Sequence, residues 1–187
     1  MSSASVVGFS GNITRPSKTR GFVEYVSNDA ARRHGLASSI YDLEDLGPSF
    51  SSARWPGQLD SQAQDVVEAV IAADLLVIGT PTFKGSYSGL FKHFFDLLDP
   101  AALRGKPVIL LATGGGDRHA LIVEHQLRPL FGFFGALALP TAIYASERDF
   151  EDGEIASPAI RARCMQAITE AGIVLNNAGG QAQLAAE

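Results

Sequence analysis

The stretch that most limits the folds open to this chain is Leu75 to Lys92, LLVIGTPTFKGSYSGLFK. Leu75 to Ile78 is an uninterrupted apolar run. It is too short for a helix of its own and reads as a buried strand. Gly79-Thr80-Pro81 ends it, a polar, glycine-containing segment follows, and a helical period begins at Ser88. Open α/β sheets bind their ligands at such loops, which leave the carboxyl ends of buried strands. Pro81 to Ser88 therefore reads as one wall of a ligand site.

The same strand, polar loop and helix recur on either side. Val6, Val7 and Phe9 form a short strand that runs into Ser10-Gly11-Asn12, and the loop continues to Thr19 through Ser, Thr, Asn, Arg, Pro and Lys. From Arg20 the spacing of Phe22, Val23, Val26 and Ala30 is helical. Loop hydroxyls, free backbone N–H groups and a helix N-terminus make an anion site, and Arg15 and Lys18 lie in the same loop. Phosphate is the natural guest. Another buried strand, starting at Lys106, ends in Thr113-Gly114-Gly115-Gly116-Asp117.

The remaining segments complete an alternating pattern. Leu36 to Tyr41 reads as a strand, and residues 47–60 as a surface loop anchored by Trp55. Ser61 is expected to cap a helix that turns Val66, Val67, Val70 and Ile71 inward. Ser88 to Leu98 and His119 to Phe134 have helical apolar faces, the second with a kink expected near Glu124 to Gln126 because of Pro129. Leu137 to Ala145 reads as a fifth strand interrupted by Pro140, and Arg148 to Ser157 as a loop. Pro158 opens a last helix that runs to about Asn176.

Five strands alternating with helices predict a single α/β domain over residues 1–177, with 178–187 as a flexible tail. The expected architecture is three-layered, with a doubly wound five-stranded parallel sheet in the order 2-1-3-4-5. That order sets the ends of strands one, three and four side by side, so one ligand can touch all three polar loops. The first loop asks for phosphate. The other two carry little charge, many backbone groups and the aromatic rings of Phe83 and Tyr87, which suits a flat, polar-edged ring. Together they describe FMN better than a dinucleotide. The G-x-G-x-x-G spacing is absent from Gly8-Phe9-Ser10-Gly11-Asn12-Ile13, and no acidic residue is read at the ribose position after strand two.

Composition removes other classes. The net charge is −5, with no basic run, which argues against nucleic acid as a main partner. No apolar run approaches a membrane span, and the N-terminal residues lack a basic signal region, so a cytoplasmic location is expected. The one cysteine, Cys164, sits in a helical apolar pattern and reads as a packed thiol. No histidine pair has metal-ligand spacing, so no metal is expected.

Three motifs carry a resemblance that spans Val6 to about Cys164. They are Ser10-Gly11-Asn12-Ile13-Thr14-Arg15-Pro16-Ser17-Lys18-Thr19, Pro81-Thr82-Phe83-Lys84-Gly85-Ser86-Tyr87-Ser88-Gly89-Leu90-Phe91-Lys92 and Leu111-Ala112-Thr113-Gly114-Gly115. The chain resembles flavodoxin-like NAD(P)H-dependent FMN reductases, above all the reductases of two-component alkanesulfonate and methanesulfonate monooxygenase systems. The resemblance implies that Ser10, Arg15, Ser17 and Thr19 bind the FMN phosphate. It implies that Pro81, Thr82, Phe83, Lys84 and Ser88 meet the ring and ribityl chain, and that Thr113, Gly114 and Gly115 contact the pyrimidine edge. NADH or NADPH would be the reductant, and a flavin-dependent monooxygenase a transient partner. In these relatives an inserted residue makes a π-bulge at a subunit interface. His125 matches that position, which implies a role in assembly or flavin exchange and a homodimer or tetramer. Two alternatives stay open on the residues alone: a reductase of quinones, azo dyes or chromate that retains its FMN, and a flavodoxin-like carrier without turnover.

Overall fold

The computed structural model describes the backbone of residues 4–184 and the side chains of residues 4–177. Its centre is a parallel sheet. β1 (Ser5–Ser10) lies between β2 (Ala37–Asp42) and β3 (Leu75–Pro81), and β3 pairs with β4 (Pro107–Gly114). Two short segments, β5 (Leu137–Ala138) and β6 (Ile143–Ser146), pair in succession with the far side of β4. The sheet order β2-β1-β3-β4-β5 is the one expected. The fifth position is split at Pro140, which has no N–H to give to the ladder.

The helices are α1 (Lys18–His34), the single turn α2 (Gly47–Phe50), α3 (Ser61–Ala72), α4 (Gly89–Asp96), α5 (Arg128–Phe133) and α6 (Pro158–Leu184). Successive residues of β3 point to opposite faces of the sheet, and both faces are covered. Leu75 and Val77 pack with Val23 and Val26 of α1 and with Ile168 and Ala171 of α6. Leu76 and Ile78 pack with Val66 and Val70 of α3, Phe94 of α4 and Phe131 of α5. On this second face Phe9 stacks on Phe94 at 4.2 Å between centroids, and Phe95 meets Phe131 edge-on at 5.0 Å. The aromatic run of α4 is therefore core, and each ring contributes roughly 1.5–3 kcal/mol by burial. Among the described residues no helix is long and apolar enough to cross a membrane.

Several local expectations are corrected. The cap of α3 is Asp60, whose carboxylate accepts the Ala63 N–H at 3.0 Å, and not Ser61. The inner face of α3 is Ala63, Val66 and Val70, while Ile71 is 36% exposed. Trp55 is 57% exposed, and its segment is anchored by the buried Phe50, Ala53 and Leu59. β2 runs one residue further than expected and so ends on an acid, Asp42. Residues 148–157 include a small hairpin, β7 (Phe150–Glu151) and β8 (Glu154–Ile155), turned by Asp152 at φ 49° and Gly153 at φ 86°. Phe150 of this hairpin meets Phe22 of α1 edge-on at 6.0 Å. The backbone of α6 continues to Leu184, past the expected end near Asn176, because no proline stops it. The tail expected over 178–187 lies outside the described side chains.

Candidate functional site

The three polar loops leave β1, β3 and β4 side by side and are tied to one another. Gly11 N–H donates to Gly79 O at 2.8 Å, which closes the first loop onto the end of β3. The Ser88 hydroxyl accepts the Phe91 N–H at 3.1 Å as the cap of α4 and donates to Gly11 O at 3.4 Å. Thr19 and Thr113 share a hydroxyl–hydroxyl hydrogen bond of 2.6 Å between the first loop and the third. Thr82 sends both its N–H and its hydroxyl to Thr113 O, each at 2.8 Å. A cavity of ≈190 Å³ remains, lined by Lys18, Pro81, Thr82, Thr113, Gly114, Gly115, Glu147 and Phe150.

The first loop ends at the positive pole of a long helix. Ser17 caps α1 by accepting the Arg20 N–H at 3.3 Å, and the first turn carries no acidic residue to offset the dipole. Below it sits Asp42, fully buried at the end of β2. Arg15 grips this carboxylate with two hydrogen bonds, at 2.8 and 2.6 Å, and reaches Asp45 at 2.7 Å. Asn12 donates to Asp42 at 3.1 Å, the Glu44 N–H at 2.9 Å, and Arg20 Nε lies 3.4 Å away. Burial pushes the Asp42 carboxyl up, but these donors, Arg15 first, outweigh it and hold it below the usual carboxylate range. The other loop cation, Lys18, pairs with Glu147 across the cavity. Both cations of the first loop are thus already engaged by carboxylates of the same chain.

The second loop is a miniature hairpin. Phe83 and Ser86 exchange backbone hydrogen bonds of 2.7 and 3.1 Å around Lys84 and Gly85, both at positive φ (52° and 85°). Such a two-residue turn requires the left-handed region at both positions, which is where glycine is favoured. The turn leaves Phe83 42% exposed, next in the chain to Thr82, which lines the cavity. The third loop is shaped by Tyr144 of β6. Its hydroxyl donates to Gly116 O at 2.6 Å, and a Cβ on Gly114 would overlap that hydroxyl.

The fit to FMN can be judged from these residues. Ser10 Oγ, Asn12 Oδ1 and Arg20 Nη1 are the buried side-chain polar atoms without a partner among the described residues. All of them belong to the first loop or the first turn of α1, where a phosphate is expected, and buried polar groups are otherwise satisfied. Thr113, Gly114 and Gly115 all line the cavity, and a Cβ at Gly115 would meet nothing within 4 Å. The donor set suits a phosphate with a polar-edged ring. Sequence reasoning missed Asp42, Arg20, Glu147 and Tyr144. Each works through a partner far away in the chain, and only the acid at the end of β2 left a signal.

His125 lies elsewhere. Val123–Leu127 is a π-helical turn, in which Arg128 N–H donates to Val123 O, five residues back. Pro129 has no N–H for the carbonyl four residues earlier, and the wider turn accommodates that loss. The helix expected over His119 to Phe134 is therefore broken, and regular α5 begins only at Arg128. Arg128 closes the turn: Glu124 holds it with two hydrogen bonds of 2.5 and 3.0 Å, and it donates to the carbonyls of Ala138, Leu139 and Pro140. His125 lines an apolar groove of ≈560 Å³ with Tyr87, Phe95, Leu130 and the 69% exposed Phe133.

Comparison with known proteins agrees with this layout. A family model described as NADPH-dependent FMN reductase matches residues 4–151. The FMN reductase (NADPH) of Pseudomonas aeruginosa is 39% identical over 179 residues, covering 96% of this chain and 95% of that one. The NADH-dependent FMN reductase SfnF of Pseudomonas fluorescens is 41% identical over 158 residues, 84% of each chain. Among solved structures, the apo form of the NADH:FMN oxidoreductase EmoB superposes with a TM-score of 0.76 at 27% identity, covering 91% of this chain and 89% of that one.

Proposed function

The chain belongs to the NADPH-dependent FMN reductase family, and from this premise we propose that it reduces FMN with NAD(P)H as an exchangeable substrate and passes the product to a separate flavin-dependent monooxygenase of the sulfonate type. One observation carries the exchange. The cations of the phosphate loop, Arg15 and Lys18, are engaged by Asp42, Asp45 and Glu147, so an incoming phosphate must compete with carboxylates of the chain itself. A site built to retain its flavin would leave those charges open.

Bound FMN supplies a hydride acceptor, and the protein supplies position and electrostatics. In this reading Ser10, Ser17, Thr19 and Arg15, whose guanidinium the phosphate must share with Asp42 and Asp45, receive the phosphate at the N-terminus of α1. Pro81, Thr82, Phe83, Lys84 and Ser88 hold the ring and ribityl chain, largely through backbone. Thr113, Gly114 and Gly115 present N–H and carbonyl groups to the pyrimidine edge. Phe83 and the Lys84-Gly85 turn shield one side of the ring from water, and the nicotinamide approaches the other. Hydride transfer needs close alignment of the reacting atoms and no side-chain acid or base, so no proton-transfer residue is assigned. The exposed groove at His125 is proposed as a contact between subunits of a homo-oligomer. The single, fully buried thiol of Cys164 fits the reducing cytoplasm as its proposed location.

Purified flavin-free protein tests the reading. NADH and NADPH oxidation is followed with FMN, FAD, riboflavin or a quinone as acceptor. Oxidation that saturates with added FMN, and reduced flavin that reaches a monooxygenase in a coupled assay, are expected. Flavin that survives gel filtration and turns over only with quinone would overturn exchange.

A further inference from the structure

The third polar loop is the least self-supporting of the three. Gly114, Gly115 and Gly116 have no side chains with which to fix their own backbone, and glycine has more conformational freedom to lose than any other residue. The near end of the loop is anchored, because Thr113 accepts both Thr82 donors on its carbonyl and shares a hydrogen bond with Thr19. Beyond Thr113, the bond from the Tyr144 hydroxyl to Gly116 O, at 2.6 Å, is the one side-chain hydrogen bond to residues 114–116 among the described residues.

Tyr144 stands behind this loop. It lies on β6 in register with Ala112 of β4, and its neighbours Ile143 and Ala145 are fully buried. Gly114 and Gly115 line the cavity between the three loops, whereas Tyr144 lines a separate one. The approach is close enough that a Cβ on Gly114 would overlap the Tyr144 hydroxyl. Burial first, then the carboxylates of Asp117 and Asp149, push the phenol above the ordinary tyrosine value, so the hydroxyl remains a donor. One side chain thus touches the glycine run at Gly114 and bonds it at Gly116.

We propose that Tyr144 is a positioning residue for the flavin ring, holding the Gly114–Gly116 backbone from behind in the geometry that receives the ring edge. The proposal rests on the FMN reductase reading, because the ring is the substrate of that reaction. Tyr144 does not line the cavity and acts only through the loop. Without its hydroxyl the ligand itself must order the glycine run, which lowers affinity for every flavin by the same factor. The phosphate end belongs to the loop after β1 and keeps its affinity.

Tyr144→Phe keeps the ring and removes the hydroxyl. Fluorescence quenching should show FMN and riboflavin weakened by the same factor, roughly three- to ten-fold, as expected for one neutral hydrogen bond. Inorganic phosphate, measured as an inhibitor competitive with FMN, should keep its wild-type inhibition constant, a separation that a general loss of structure would not give. Gly114→Ala supplies an independent measurement. In the wild-type background its methyl displaces the Tyr144 hydroxyl. Without that hydroxyl the nearest atoms are Tyr144 Cζ at 3.2 Å and Thr82 Oγ1 at 3.3 Å, so Gly114→Ala should cost less riboflavin affinity in the double variant than alone. Riboflavin affinity at the wild-type value in Tyr144→Phe, an equal loss for inorganic phosphate, or a Gly114→Ala penalty of one size in both backgrounds would overturn the proposal. Failure of the wild type to oxidise either nucleotide with FMN as acceptor would instead overturn the FMN reductase reading.

Discussion

Asp42 is an acid with no exposure that gathers Arg15, Asn12 and the Glu44 N–H beneath the first polar loop. Its folded-state pKa is depressed, so its contribution to stability is present above the unfolded value near 3.9 and is lost as pH falls through the folded value. Asp42→Asn should cost about 1–3 kcal/mol at pH 7, less than a fully buried pair because Arg15 is 41% exposed. Unfolding followed against pH should find wild type losing stability below about pH 4 more steeply than the variant, in which Glu124 and Glu170 still contribute. An equal slope in both proteins would remove Asp42 from this role. Glu147 makes the opposite kind of test. Glu147→Gln releases Lys18 and should tighten FMN roughly two- to five-fold at low ionic strength, while riboflavin, which has no phosphate, is unchanged. Flavin fluorescence quenching reads both, and equal gains for the two flavins would end the competition argument. The sequence disclosed the loop cations but not their partners. Lys18 and Glu147 are 129 positions apart, and no local pattern announces that they meet. The orphan atoms at Ser10 and Asn12 became visible only once burial was known.

At the scale of elements, legibility followed the strength of the periodic signal. β1, β3 and β4 were readable because each is buried on both faces and so carries a short, mainly apolar run. Their order followed from the alternation with helices, and with it the meeting of the three loops. The hairpin β7–β8 was hidden, since two-residue strands carry no period. The region after β4 was half legible: Pro129 announced a break, and only the fold could give it the form of a π turn with Arg128 bonded to Val123 O. That turn brings the His125 side chain into the apolar groove beside Phe133, which shares no lining residue with the cavity between the three polar loops. His125→Ala should shift the oligomeric state by sedimentation, or the rate of flavin exchange by stopped flow, without changing the fold by circular dichroism. Wild-type values in both measurements would leave the π turn as a structural accommodation of Pro129 alone.

For the whole molecule, ligand binding and stability are one quantity. The loops proposed to hold flavin join β1, β3 and β4 through Thr19, Thr82, Ser88 and Thr113, so on that reading saturating them braces the centre of the sheet. FMN at about a hundred times its Kd should add roughly 2.7 kcal/mol to unfolding, a rise in melting temperature on the order of 5–10 °C for a chain of this length. Riboflavin at equal concentration should give a smaller shift, and an equal one would mean that the phosphate loop is not the anchor. Cys164 complements this picture: burial pushes its thiol up to about 12, so it is inert to oxidation while the fold holds. Where β5 gives way at Pro140, the guanidinium of Arg128 occupies the carbonyls of Ala138, Leu139 and Pro140. Exposed strand borders are templates on which further chains can add, and natural proteins blunt them with short strands, proline and cations. Here Arg128, the residue that closes the π turn, stoppers that border, so the carbonyls that a further strand would need there are already taken.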